Sequence, residues 1–154
     1  MKHDAALGEL SEGGARYLLI RHDSLMGLFQ RLPEPARGEA LAAFADSVAE
    51  HGGRSAARYR SEEPENLLVA LSAKASQLGW GSWQFRREAD SITLTVHNSP
   101  FAHAFGNAQT PVCAPITGML RSVASLVFGP EARAGEIACA ATGSACCVFR
   151  AQGR

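Results

Sequence analysis

The chain has no excess of charge of either sign: fifteen basic residues face fifteen acidic ones in 154 positions. That balance removes the general electrostatic case for nucleic acid, an acidic membrane surface or a polyanionic substrate, and favours a small or apolar partner. Long apolar runs are missing too. Every hydrophobic stretch breaks off well short of the roughly 20 residues a membrane-crossing helix needs. The N-terminus, MKHDAALGELSEGG, lacks the basic start, apolar middle and small-residue cleavage site of a secretory signal, so a cytoplasmic address follows by default. No internal repeat, long linker or low-complexity tract divides the chain, which points to a single domain. Catalytic signatures are absent as well: there is no Walker A loop, serine elbow or HExxH helix. Gly79-Trp80-Gly81 opens like a dinucleotide fingerprint, but Gln84 stands where its third glycine belongs and no strand feeds it.

What is present is an α+β pattern. Residues 1–14 carry no sustained period and are expected to be a disordered leader, with the folded domain spanning 15–154. Tyr17 to Arg21 is an aliphatic run suited to a strand, and Asp23 is placed to cap a helix that Pro33 stops. From Pro35, Leu41, Phe44, Ala45 and Val48 repeat at helical spacing, with Gly52-Gly53 as the expected end. A further helix is expected from Glu63 to Leu78, ended by Gly79. The period then changes to two: Trp83 and Phe85, then Ile92, Leu94 and Val96, alternate with polar residues around a turn at Glu88-Ala89-Asp90. Asn98 or Ser99 can cap a helical turn, and Ile116, Met119, Leu120, Val123 and Val127 mark a core helix closed by Gly129-Pro130. Two short strands around Glu136–Ala140 and Cys147–Arg150 close the chain. An antiparallel sheet packed with several helices is the expected architecture.

Two groups of residues are candidates for function. Aromatic residues make up only 7% of the chain, yet Trp80, Trp83, Phe85, Phe101 and Phe105 lie close together in sequence. Trp80, Trp83, Phe101 and Phe105 could wall an apolar ligand cavity, or they could be plain core. His97 and His103 flank the same stretch without a visible partner. The second group is the cysteines, all between Cys113 and Cys147. In the spacing Cys113-x22-Glu136-x2-Cys139-x7-Cys147, three thiolates and a carboxylate can complete a tetrahedral zinc site with no open position, which makes the site structural rather than catalytic. Buried free cysteines acting as small apolar residues are the alternative, and Cys146 could stand in for Cys147.

PVCAPITGMLRSVASLVFG followed by GEIACAATGSACCVF resembles the C-terminal signature of the 4-vinyl reductase domain family. From Trp80 to Phe149 the motifs GWG, HNSPFA, PVC, E-x2-C and G-x3-C recur in family order, with Ser144 departing from the acidic residue often found there. The resemblance implies a fold shared with small vesicle-tethering subunits, and a structural zinc on Cys113, Glu136, Cys139 and Cys147. It further implies a free-standing sensor or carrier domain for a small hydrophobic or aromatic molecule, and a homodimer. Reduction of a tetrapyrrole vinyl group, directly or as an accessory, and a scaffolding role are the other activities it allows.

Overall fold

The computed structural model describes residues 1–61 and 63–153. Among the described residues, seven strands and five α-helices follow one another. Three short strands come first: β1 (Lys2–Asp4), β2 (Glu9–Glu12) and β3 (Ala15–Tyr17). They form an antiparallel meander in which Leu10 faces Tyr17 and His3 faces Leu10. The first fourteen residues, expected to be a leader, therefore pair into a sheet. Strands of three or four residues are too short to display a period, and their order comes from pairing across turns rather than from local pattern. The aliphatic run after Tyr17 is not a strand: Leu18 and Leu19 are 83% and 86% exposed.

Helix α1 (His22–Gln30) begins slightly earlier than expected, because Arg21 rather than Asp23 is the N-cap and Asp23 instead pairs with Arg21 from the first turn. Helix α2 (Ala36–Ala56) runs through Gly52-Gly53 instead of ending there. Close packing, not termination, explains these glycines. A Cβ at Gly52 would lie 2.6 Å from Met119 Cε, and one at Gly53 2.7 Å from Ser122 Oγ. Both neighbours belong to α5 (Ala114–Phe128), whose Gly118 in turn lies directly on the Ala45 carbonyl. Ser122 Oγ completes the seam by donating to the Ala49 carbonyl at 2.5 Å. Helix α3 (Pro64–Gln77) has Pro64 in its first turn and is followed by Gly79 at φ +74°, as its sequence pattern required.

The second sheet has the order β4-β5-β7-β6 and is antiparallel throughout. Its strands are β4 (Ser82–Arg87), β5 (Ser91–His97), β6 (Arg133–Ala138) and β7 (Cys147–Gln152). Trp83 faces Val96 and Phe85 faces Leu94 in the predicted hairpin. Between β5 and α5 lies α4 (Pro100–Phe105), capped by Ser99 Oγ accepting from the Ala102 amide at 3.4 Å. Ile92, Leu94, Val96 and Phe149 on the sheet meet Ile116, Leu120 and Val123 on α5, and this contact is the centre of the core. Among the described residues no helix is long and apolar enough to cross a membrane.

Candidate metal centre and ligand cavity

Cys113 is the N-cap of α5, Glu136 sits on β6, Cys139 follows that strand directly and Cys147 opens β7. Their ligand atoms all lie within 4.8 Å of one another, and the three sulfurs are fully buried. Cys113 Sγ stands 3.9 Å from Cys139 Sγ and 3.6 Å from Cys147 Sγ. Thiolates at 2.3 Å from a tetrahedral zinc are about 3.8 Å apart, so the sulfurs already have the edge length of such a site. Cys147 is in the cluster. Cys146 is the more exposed neighbour and lies outside it.

A strand alternates faces, so residues three apart, such as Glu136 and Cys139, would ordinarily point to opposite sides. A bulge removes the conflict. Glu136 pairs with Phe149 and Ala138 with Val148, leaving Ile137 as the extra residue, turned outward and 65% exposed. The E-x2-C spacing therefore brings both ligands to one face only because the strand is bulged between them.

The surroundings match the donor set. Glu136 Oε2 accepts from the Cys113 amide at 2.9 Å, while Oε1 is buried with no hydrogen-bond partner. A buried carboxylate oxygen without a partner is costly, and a metal ion is the kind of group that satisfies it. Ser99 Oγ lies 3.2 Å from Cys113 Sγ, and the Ala140 amide donates to Cys147 Sγ at 3.3 Å. Ser99 thus serves α4 and the thiol cluster together, a role that its capping position alone did not reveal. Without a cation, four acidic groups this close share protons unequally. Hydrogen bonds from Cys113 and then Cys147 hold the Cys139 thiol far below its ordinary range, while Cys113's own bonds with Cys139 and then Cys147, together with burial, push it far up. Cys147 accepts help from Cys113, which lowers it, yet Cys139 and burial prevail and raise it to about 12. Burial, then the neighbouring Cys139, raises Glu136 to about 8. A divalent ion would reverse this by favouring the ionised form of all four.

The aromatic candidates divide. Trp80 meets Phe101 edge-on at 5.2 Å and Trp83 at 6.4 Å between ring centroids, and Trp83 Nε1 donates to the Trp80 carbonyl at 3.0 Å. Phe105 lies apart, under the Arg37 guanidinium at 5.9 Å, with its carbonyl accepting from Gln30. Trp80 lines a cavity of about 540 Å³ together with Tyr17, His51, Tyr59, Leu71, Lys74 and Met119. It also lines a second of about 360 Å³ with Phe101, Leu18, Leu19 and Phe44. Trp83 reaches only a small void of about 50 Å³ beside them. Most of the larger cavity's walls come from the meander, α2 and α3, segments whose periods show which face is buried but not that a space remains between them. His103 stacks on His22 with ring nitrogens 3.1 Å apart at the surface, and His97 is exposed.

The 4-vinyl reductase domain family matches residues 92–152, the stretch from β5 to β7 that holds all four cluster residues. The resemblance drawn from the cysteine and glutamate motifs is thereby supported over this stretch, which the family model matches. Solved structures extend the likeness to the whole fold. The phenol-responsive sensory domain of the transcription activator PoxR, solved with phenol, superposes with a TM-score of 0.83 at 18% identity, over 99% of this chain and 84% of that one. A vinyl-4-reductase family protein from Methanocaldococcus jannaschii gives 0.57 at 15% identity, over 90% and 98% of the two chains. A trafficking protein particle complex subunit 3 from Naegleria fowleri, covalently bound to palmitic acid, gives 0.61 at 10%, over 86% and 95%. At these identities the shared property is the α+β fold. No curated protein matches the chain.

Proposed function

We propose that this chain is a sensor or carrier domain that binds a small aromatic molecule without transforming it, and that a structural zinc fastens its C-terminal half. The carrying observation is the cavity of about 540 Å³, of a size for a one- or two-ring ligand, walled by Trp80, Tyr17, Tyr59 and Leu71. The phenol-bound state of the PoxR sensory domain, which has the same fold, supports the choice of an aromatic ligand. Zinc is favoured by the thiolate-rich donor set, the sulfur spacing and the unpartnered Glu136 Oε1. When bound it supplies charge neutralisation and a cross-link, with four protein ligands leaving no position for a substrate. Cys113, Cys139 and Cys147 with Glu136 would then tie the start of α5 to β6 and β7.

The working form is a cytoplasmic homodimer, with the exposed Leu18-Leu19-Ile20 run as the apolar surface a second copy would cover. Native mass spectrometry of protein purified without added metal tests all three parts together. The expected spectrum carries two chains with one zinc each, and titration with phenol or a naphthol should raise the melting temperature by an increment that grows with the logarithm of ligand concentration above its dissociation constant. Well under half an equivalent of zinc refutes the metal assignment, a single chain at micromolar concentration refutes the dimer, and no melting shift with any aromatic compound refutes the sensor reading.

A further inference from the structure

The whole chain is neutral, but the wall of the larger cavity is not. Among its lining residues stand three formal cations, Arg16, Arg58 and Lys74, and one carboxylate, Glu12. Arg16 is spoken for by Glu9 on the neighbouring strand, at 3.0 Å. Lys74 is different. It rises from α3 with its side chain only 14% exposed, and its ammonium pairs with Glu12 of β2. A cation this withdrawn from water needs a carboxylate beside it, whether from the chain or from a ligand. Glu12 is the more exposed partner and also receives the N-terminal ammonium of Met1 at 3.1 Å, so it keeps a counterion and water when it leaves Lys74.

Glu12–Lys74 is also the one ion pair among the described residues that joins the N-terminal meander to the helical body; Met1–Glu12 and Arg16–Glu9 lie within the meander. Arg58 packs on the Gly13 turn immediately after β2, with no carboxylate partner among the described residues, and adds to the positive potential at the same end. Tyr17, Tyr59 and Trp80 supply flat apolar walls of the same cavity.

We propose that the ligand of this cavity is an aromatic carboxylic acid, whose carboxylate takes Lys74 from Glu12 and so unlatches the N-terminal sheet from α3. This rests on the cavity being the ligand site, and it adds what the ligand must carry and how its arrival is passed on. A neutral aromatic fills the same space but leaves the Glu12–Lys74 pair closed. The signal is then the release of residues 9–17, produced by an exchange of one carboxylate for another on the same ammonium.

Isothermal calorimetry of the full chain near neutral pH, with naphthoate and its neutral counterpart naphthamide, tests this directly. Naphthoate is expected to bind about tenfold or more tightly than naphthamide, as a charge-assisted hydrogen bond to a shielded ammonium implies. Lys74→Met should abolish that preference, bringing naphthoate affinity to that of naphthamide measured in the same variant. Glu12→Gln should tighten naphthoate severalfold relative to naphthamide measured in the same variant, because it removes the competitor. Hydrogen exchange at the amides of residues 9–17 should quicken with naphthoate and not with naphthamide. Equal affinities for the two compounds overturn the inference, as does a preference that survives Lys74→Met; should that variant fail to fold, an unaltered preference in Glu12→Gln does the same. Decanoate binding as tightly as naphthoate removes the aromatic requirement. Naphthamide binding alone sinks only this inference, whereas binding by none of the three sinks the ligand cavity itself.

Discussion

Replacing Glu136 by glutamine puts the carboxylate's place in the cluster to a quantitative test. The two oxygens of Glu136 face different demands: Oε2 accepts from the Cys113 amide at 2.9 Å, and Oε1 is buried without a hydrogen-bond partner and so is the one free for a metal. Glutamine has one oxygen for both. With its oxygen toward the metal, its NH₂ meets the Cys113 N–H, donor against donor; turned over, it presents hydrogens where a lone pair is needed. Either arrangement forfeits one buried polar contact, which costs about 1–3 kcal/mol, or about 5- to 150-fold in zinc affinity. Cys139→Ala removes a ligand atom outright and leaves a three-donor site open to water, so its loss should exceed that of Glu136→Gln. Competition with a chromogenic chelator, at fixed pH and with metal content checked by mass spectrometry, measures both. Equal losses in the two variants, or no loss in Glu136→Gln, would refute the assignment of Oε1 to the metal.

Other outcomes follow from the same structure. Because burial and Cys139 raise Glu136 from 4.5 to about 8, the metal-free fold holds a proton there that the unfolded chain has lost. Cys139, held far below its ordinary range, works the other way, because the unfolded chain keeps a thiol proton that the fold has lost; between pH 4.5 and about 8 the two slopes oppose, so metal-free stability should be nearly flat, whereas with zinc bound it should rise with pH, as chemical denaturation at stepped pH would show. Gly118→Ala should destabilise by about 1–3 kcal/mol or more, since its methyl would overlap the Ala45 carbonyl and push α5 from α2; an unchanged denaturation midpoint would contradict that packing. Phe105→Ala should cost about 3–5 kcal/mol of stability through lost core contacts. Trp80→Ala should instead weaken aromatic binding, because Trp80 lines both cavities and Phe105 neither; the reverse pattern in paired melting and binding titrations would misplace the ligand.

Legibility in the sequence followed the length over which a pattern repeats. Helices α3 and α5 and the β4-β5 hairpin carry their apolar residues at 3.6 or 2 for several cycles, and all three stand close to where the pattern put them. The meander is built of strands too short for any cycle, and its order depends on pairing between residues such as Leu10 and Tyr17. Gly52-Gly53 reads as a stop locally and proves to be a contact surface, because the helix it must admit, α5, lies more than 60 residues further along the chain. The cysteine–glutamate cluster was legible for a different reason: coordination chemistry restricts possible metal ligands to a few residue types, so their spacing stands out even where strand alternation argues against it. The cavity had no such marker. Lys74, Glu12 and Tyr17 come from separate segments, and nothing in their local sequence says that they enclose a space.

The bulge at Ile137 has a bearing on assembly as well as on the metal. Strand β6 is an edge of the four-stranded sheet, and a regular edge offers its unpaired amides and carbonyls to any passing strand. Here the extra residue breaks the spacing of those groups near the C-terminal end of the strand and throws an isoleucine outward between them. A strand approaching this side finds a regular row of only four residues, Arg133 to Glu136, to zip onto. The register irregularity that brings Glu136 into line with Cys139 therefore also limits elongation of the sheet at that edge, and contact with another chain is steered toward the helices, the meander or the opposite edge at β4.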